Sequence, residues 1–546
     1  MVRSRVQGST FDAGSLLLLL VPFLALFPLR NNDLWWHLAA GKWMVANHQF
    51  PDVDVFSHTA FMGRWVDNEW LGQLLFYGTW SLGGNTGLIV LRVAMFTLMF
   101  WLLRGYMRSA RRPSMTLPAM VVAIALSYSW WELRPSVFSL IGLLILLIVL
   151  EGIRRHRLQP WLLPCLFLVW ANLHPGFLFG LLVLAATCAA MWIEPLLSER
   201  RRFAHHERAR LRLSGWLVAS VVATLVNPYG TRVYAQQILI AGNFRYRELL
   251  DEWAPPSVAF LMLVLIAAGA FLLLRYRRVS LRALVPILGA ALLSTTGVRF
   301  EEYFALIAAP VMLANIGVLR RSLGRSLFLG GLVAGSLLVG LLPPMGSALQ
   351  EGVVGTLDLT DVRLQERMWR NGAILASVAG LSLLGAMVFR KPRPSVVLMR
   401  LWRSGPSAAA LAVSGVVLTV ALLFVRPLPA DGVEEHRYPD TCLAAVSPNS
   451  VPFNKLSWGG WLIWKAGART YIDGRCWGQP IFFEYRDARA ASGQEILKRR
   501  GIDLVILPPS EPMLRSLEGS GWKNVCTEDV SAVYELPPTS VARTTN

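Results

Sequence analysis

The chain reads as an all-α polytopic membrane domain of about thirteen transmembrane helices, followed by a small C-terminal α/β domain outside the cytoplasm. Three observations predict this. Over 546 residues, 54% are hydrophobic and 16% charged, and the mean hydropathy is +0.46, outside the usual range for a water-soluble chain of this length. Apolar runs of membrane-spanning length recur as far as about residue 425, with Trp and Tyr at their flanks where amphipathic rings prefer the interface. Beyond residue 426 the pattern changes to short strand and helix signals in a mixed polar sequence.

The expected spans are 14–30, 86–104, 117–133, 137–152, 161–173, 176–193, 214–228, 258–275, 282–298, 302–320, 326–344, 372–389 and 406–425. Residues 14–30 lack a following small-residue cleavage site, so they are read as a retained first helix. With Arg3 and Arg5 on the cytoplasmic side, every second loop is basic. These loops are Arg104 to Arg112, Arg154 to Arg157, Arg200 to Arg212, Arg275 to Arg282, Arg320 to Arg325 and Arg390 to Arg403. The formal charge of +19 is therefore a topology signal spread over short clusters, and it does not point to nucleic acid. The resulting division is a transmembrane domain over 1–425 with a structured external loop at 31–85, and a tail domain over 426–546.

The first external loop predicts two helices. One covers Asp33 to Val45, opened by Asn31 or Asn32; the other covers Asn68 to Ser81, opened by Asp67 and ended by Gly83 and Gly84. In the tail, Thr470 to Asp473 and Asp503 to Leu507 are strand candidates, and Gln494 to Arg500 and Glu511 to Gly519 helical ones. Cys442, Cys476 and Cys526 lie in the tail, where one disulfide could form among three partners the sequence does not choose between.

The chemistry concentrates in the first loop, which holds Asp33, His37, Asp52, Asp54, His58, Asp67 and Glu69. Carboxylates gathered where a membrane helix meets water point to a functional site. Asp33 and His37 share one helix face at a spacing of four, and Asp33 sits in the first turn where the helix dipole favours its ionised form. It could take a proton from an acceptor hydroxyl, with His37, Asp54 and Glu69 as further catalytic candidates. Asp33, Asp54 and Glu69 are also the candidate ligands of a divalent ion such as Mg2+ or Mn2+; no other cofactor is expected. The competing structural roles are helix capping for Asp33 and Asp67 and a solvated loop for Asp54 and Glu69. On the same side lie Arg134, His174, Arg245 and Arg299, basic groups suited to a lipid phosphate. Snorkelling, or pairing with Glu132, Glu301 or Glu302, is the alternative for the arginines. Nucleotide-binding loops, dinucleotide glycine patterns, zinc spacings and the Gly-x-Ser-x-Gly elbow are all absent from the sequence.

The runs Asn32-Asp-Leu-Trp-Trp-His-Leu-Ala-Ala-Gly, Pro51-Asp-Val-Asp-Val-Phe-Ser and Trp65-Val-Asp-Asn-Glu-Trp-Leu resemble the first-loop region of bacterial membrane proteins in the GT-C glycosyltransferase superfamily. Asn172-Leu-His-Pro-Gly, Asn227-Pro-Tyr-Gly, Trp458-Gly-Gly-Trp-Leu-Ile-Trp and Tyr471-Ile-Asp-Gly-Arg are similar to the same branch, so the likeness spans most of the chain. It implies a polyprenyl-phosphate- or pyrophosphate-linked sugar donor, and the function expected on that basis is transfer with inversion to an acceptor outside the cytoplasm (glycan, lipid or protein), in the bacterial inner membrane. The catalytic acid of the family's first loop would fall on Asp33, and a second acidic residue on Asp54 or Glu69. The Trp-Trp-Asp acceptor motif of the oligosaccharyltransferases in that superfamily is absent from the tail, which leaves the acceptor open. A lipid or polysaccharide transporter and a non-catalytic envelope-assembly scaffold are the competing functions. Transport predicts charges inside spans, and Arg92 is one of few.

Overall fold

The computed structural model describes residues 13–195, 207–242, single positions from 287 to 297, 300–316, 428–475, 480–489 and 493–537. The expected spans 258–275, 326–344, 372–389 and 406–425 lie outside them, as do Arg245, Arg299 and Cys476. The helices in chain order are α1 (Ala13–Leu24), α2 (Leu34–Asn47), α3 (Trp70–Ser109), α4 (Thr116–Ser127), α5 (Ser136–Arg154), α6 (Leu162–Leu173), α7 (Phe177–Ile193), α8 (Glu207–Thr224) and α9 (Arg232–Gly242). A later helical run passes through Glu301–Tyr303 and a wide π turn at Phe304–Ala308 into α10 (Ala309–Ile316).

Among the described residues α3 and α5 are long and apolar enough to cross a membrane, and α4, α6 and α7 are shorter apolar helices. The expected count of thirteen spans is therefore not reproduced by these residues alone. α3 has two legs. At Gly84 the backbone leaves the helical region (φ 57, ψ −150), a conformation glycine adopts without a Cβ penalty. The leg before Gly84 is the second helix expected in the first loop. The leg after it, about 37 Å long at 1.5 Å per residue, is long enough to cross a membrane.

Arg92, on that second leg, is fully buried because it serves the end of α1. Its Nε donates to the Ala25 carbonyl at 3.1 Å and its Nη1 to Pro28 at 3.2 Å, a further bond reaches the Phe27 carbonyl, and the guanidinium lies 3.7 Å from the Phe27 ring. These carbonyls belong to the irregular segment just past α1, which has no helical partners for them.

The tail builds one four-stranded sheet in the order β1-β2-β4-β3, from β1 (Pro452–Asn454), β2 (Leu504–Leu507), β3 (Lys523–Thr527) and β4 (Ala532–Glu535). β1 runs parallel to β2, and the other pairings are antiparallel. Helices α11 (Gly459–Ala466), α12 (Ile481–Ala488), α13 (Gln494–Arg499) and α14 (Pro512–Leu517) surround it. Tyr471, Tyr485, Leu497, Leu514 and Leu517 bury against Phe453, Val505 and Leu507. The segment Thr470 to Asp473 is not a strand of this sheet; Thr470 forms an isolated parallel bridge with Ser57 of the first loop. A disulfide joins Cys442 to Cys526 across a separation of 84 residues.

The tail lies directly on the first loop. Trp461 packs edge-on to Trp35 at 4.5 Å and stacks on Tyr438 at 4.5 Å, while the Tyr438 hydroxyl donates to the Asn31 carbonyl at 3.2 Å. Gly460 permits that approach, since a Cβ there would stand 2.9 Å from the Asn32 carbonyl oxygen. Gly41 does the same between α2 and α3, where a Cβ would meet the Gln73 carbonyl oxygen at 2.5 Å.

Candidate functional site

Asn31 opens α2. Its side-chain oxygen accepts the backbone N–H groups of Asp33 at 2.8 Å and Leu34 at 3.0 Å, the role of an N-terminal cap. Asp33 makes no capping bond with its own side chain. Its carboxylate instead accepts Trp36 Nε1–H at 3.3 Å and lies against Gly474 of the tail. The Trp36 ring lies tilted against His37 at 3.6 Å, and His37 Nε2 stands 3.7 Å from Glu69. Burial first, then the positive charge of Arg134, push the His37 imidazole well below its ordinary pKa, so it is neutral at pH 7.

Glu69, just ahead of α3, is held from its other oxygen by His174 Nε2 at 3.4 Å. The tautomer of His174 follows from its far side. Nδ1 accepts the Gly176 N–H at 3.0 Å and faces Ser139 Oγ at 2.7 Å, while that hydroxyl oxygen accepts Trp170 Nε1–H at 2.8 Å. Ser139 therefore donates to Nδ1, and the ring proton sits on Nε2, directed at Glu69. His174 reaches this position because Asn172-Leu-His-Pro-Gly ends α6 with an extended residue, and Asn172 is pinned by Trp70 Nε1 at 2.9 Å.

A second acidic centre joins the loop to the tail. Arg475 forks onto Asp473, with Nε to Oδ1 at 2.9 Å and Nη2 to Oδ2 at 2.6 Å, and its Nη1 donates to Asp54 Oδ1 at 2.8 Å. Its side chain is only 4% exposed and lies 5.0 Å from both the Phe56 and Trp65 rings. Burial would raise the Asp54 pKa, but Arg475 and the bonds from Ser57 and the Phe56 amide hold it below the ordinary value. Asp54 is thus an ionised partner of the tail. Asp67 is the opposite case: burial pushes its carboxyl up to about 7, against bonds from the Glu69 amide and Gln73 Nε2 at 2.7 Å.

Glu132 lies in the turn between α4 and α5. It accepts Arg30 Nε at 3.1 Å and Asn31 Nδ2 at 2.7 Å, with Arg134 Nη2 at a looser 3.9 Å. Burial would raise it, yet Arg30 and Arg134 hold its carboxyl down at about 2.

Asp33, His37, Glu69, His174 and Arg134 are thus linked through one run of contacts and charge interactions. A divalent ion at Asp33, Asp54 and Glu69 would need these carboxylates in one shell. Among the described residues no three His, Cys, Asp or Glu side chains are grouped to hold a metal ion, and Asp54 is committed to a guanidinium. That donor set does not fit the ion as it stands. Ser139, Trp170, Gly474 and Arg475 carry no role in the sequence reading. The run Tyr471-Ile-Asp-Gly-Arg, which contains the last two, is the signal that held them.

Neither a protein-family model nor a curated protein sequence matches the chain. Among solved structures, ArnT from Cupriavidus metallidurans bound to undecaprenyl phosphate superposes with a TM-score of 0.54 at 16% identity, over 96% of this chain and 98% of that one. The chain has the GT-C fold. The oligosaccharyltransferase AglB from Archaeoglobus fulgidus, in complex with an inhibitory peptide and a dolichol-phosphate, matches with a TM-score of 0.47 at 13% identity, over 90% of this chain and 69% of that one. The apo oligosaccharyltransferase of the same organism gives 0.47 at 12%, over 91% and 70%. Within its GT-C fold, this chain draws the site from the start of α2, the start of α3, the α4–α5 turn and the α6–α7 turn.

Proposed function

We propose that the chain is an integral membrane glycosyltransferase that moves a sugar from a polyprenyl-phosphate-linked donor to an acceptor outside the cytoplasm, with inversion. The observation that carries this reading is the linkage of Asp33, Glu69 and Arg134 around the start of α2, in a chain whose fold over nearly its whole length is like that of ArnT bound to undecaprenyl phosphate.

Asp33 is half-buried and stands at the positive end of α2, where an acceptor hydroxyl can reach its carboxylate. It takes the hydroxyl proton as the oxygen attacks the anomeric carbon. The bond from that carbon to the phosphate oxygen breaks, and the electron pair leaves with the lipid phosphate. Arg134, at 3.9 Å from Glu132, receives the developing negative charge. Glu69, steadied by His174 and His37, orients the acceptor or donor hydroxyls. His174 serves the site through Glu69, and a phosphate contact would need its Nε2–H redirected.

Two further observations support this reading. Arg92, the buried charge a transport path would use, is committed to carbonyls of the segment just past α1. The Cys442–Cys526 disulfide fits a tail in an oxidising compartment, outside the cytoplasm.

The test is transfer by the purified protein in lipid nanodiscs, supplied with a panel of polyprenyl-phosphate sugars and hydroxyl acceptors. Asp33→Asn is expected to lower turnover by about a hundredfold or more while the protein stays inserted and folded. Unchanged turnover would remove Asp33 from the mechanism, and silence of the wild type across the panel would remove the reaction.

A further inference from the structure

The tail meets the proposed reaction centre at Gly474. A Cβ placed there would stand 2.2 Å from Asp33 Oδ1, 2.9 Å from Trp36 Nε1 and 3.2 Å from Asp33 Cγ. No side chain, even a methyl, fits between this backbone and the carboxylate without moving Asp33. The neighbouring residues fix the turn from both sides. Asp473 is fully buried and bonds Arg475 through both oxygens, with its Oδ1 also accepting the Arg475 backbone N–H at 2.9 Å. The same guanidinium then reaches across to Asp54, so one buried cation bonds a carboxylate of the tail and one of the first loop. Backbone bonds tie the two segments together beside it: Thr470 N–H donates to the Phe56 carbonyl and His58 N–H to the Thr470 carbonyl, each at 3.0 Å. The Thr59 hydroxyl donates to the Tyr471 carbonyl at 2.7 Å.

We infer that the turn Asp473-Gly474-Arg475 is a wall of the reaction site, with Gly474 setting the position of the Asp33 carboxylate and Arg475 acting as a positioning residue that clamps the first loop to the tail. This rests on the glycosyltransferase reading for its catalytic consequence, and on geometry alone for the placement. A glycine is required at 474 because the backbone must lie in contact with an acidic side chain that has to keep one orientation. An arginine is required at 475 because only a planar fork can bond Asp473 through both oxygens and still reach Asp54. The tail is then a part of the active centre, and a chain cut after the membrane domain would carry an Asp33 with no fixed place.

The experiment uses the full chain in nanodiscs with Gly474→Ala, Arg475→Lys and Arg475→Gln. Gly474→Ala is expected to lower kcat tenfold or more, to leave the KM for the lipid-linked donor within about twofold and to displace the acidic limb of the kcat pH profile. Arg475→Lys is expected to retain more turnover than Arg475→Gln. A separate readout needs no turnover. Asp33→Cys is introduced alone and together with Arg475→Gln, and alkylation of the new thiol by a membrane-impermeant reagent is timed against protein without the introduced cysteine. Labelling should be slow with Arg475 in place and at least fivefold faster without it. Gly474→Ala turning over within twofold of the wild type would overturn the role of Gly474, and equal labelling rates would overturn the clamp. A wild type inactive on every lipid-linked sugar would sink the catalytic reading, and the labelling rates alone would then decide the placement.

Discussion

Glu69 owes its position to residues far from it in sequence, and its chemistry can be separated from theirs. Ser139 and the Gly176 amide saturate His174 Nδ1, so the Nε2 proton has one direction to point, toward Glu69. Glu69→Gln keeps the size and loses the charge, and a drop in kcat of about 10- to 100-fold is expected in the transfer assay. Ser139→Ala should give a milder loss, because the ring can then turn. Two neighbouring groups respond to pH with opposite sign. His37 has its folded pKa below the ordinary value of 6.5, so the unfolded chain binds more protons there, and its contribution to stability falls as pH drops through 6.5. Asp67 has its folded pKa raised to about 7 from 3.8, so its contribution is full below about 4 and is lost as pH rises toward 7. Its Oδ2 and Gln73 Oε1 are buried acceptors with no hydrogen-bond partner, a mismatch that a protonated carboxyl or an amide would relieve. Asp67→Asn is therefore expected to raise stability at pH 8, by at most about 4 kcal/mol from the roughly three-unit shift, and to flatten the alkaline decline in a thermal-melt series over pH. A variant less stable than wild type at pH 8 would show that the carboxylate is needed charged. The acidic loop itself was legible because carboxylates beside a membrane helix stand out. The partners Ser139 and Trp170 were not, since nothing local marks a serine or a tryptophan inside an apolar helix as serving a loop carboxylate; Arg475 stands in the run Tyr471-Ile-Asp-Gly-Arg, but nothing in that run marks its partner as Asp54, 421 residues away.

Helix ends and close crossings decide how the elements sit. Asn31 caps α2, one of the two openers the sequence offers, and the glycine pair at 83 and 84 does separate the loop helix from the long apolar leg, through the single left-handed residue Gly84. The expected strand at Thr470 to Asp473 failed for a reason that pattern cannot show. The residue types are those of a strand, but its edge bonds join it to Phe56, His58 and Thr59 of the first loop, so the tertiary partner overrides the local preference. Between α5, α6 and α7 the contact is made by Trp170, whose ring would stand 2.7 Å from a Cβ on Gly142 and 2.5 Å from a Cβ on Gly180. Small residues facing a large one are how membrane helices gain close packing where no hydrophobic drive exists between them. Gly142→Val or Gly180→Val should destabilise by about 1–3 kcal/mol through overpacking. Because Trp170 also holds Ser139, the same variants should reduce transfer, and a melt unchanged within a degree would show that the helices can separate without cost.

At the scale of the whole molecule, the tail is bound to the membrane domain by three different forces, none of which depends on redox state. Aromatic packing joins Trp35, Tyr438 and Trp461, buried charge joins Asp54, Arg475 and Asp473, and paired backbone joins Ser57 to Thr470. The disulfide belongs to the tail alone, tying the short helical turn at Cys442–Ala445 to β3, whose outer edge is exposed. Its stabilisation comes mainly from restricting the unfolded tail. For a closed loop of 84 residues the chain entropy amounts to about 4 to 5 kcal/mol, a large share of what so small a sheet can supply. None of the three forces at the tail–loop contact involves Cys442 or Cys526, so removing the bond should loosen the sheet before it frees Gly474 from Asp33. Cys442→Ala combined with Cys526→Ala is therefore expected to lower the temperature at which thermolysin cuts the 493–537 region, with little change in the labelling of a cysteine placed at Asp33. Reductant should reproduce the effect in the wild type and do nothing to the double variant. If reduced and oxidised protein are cut at the same temperature, the bond contributes nothing to the tail, and packing of Phe453, Val505 and Leu507 against its helices is enough to hold it.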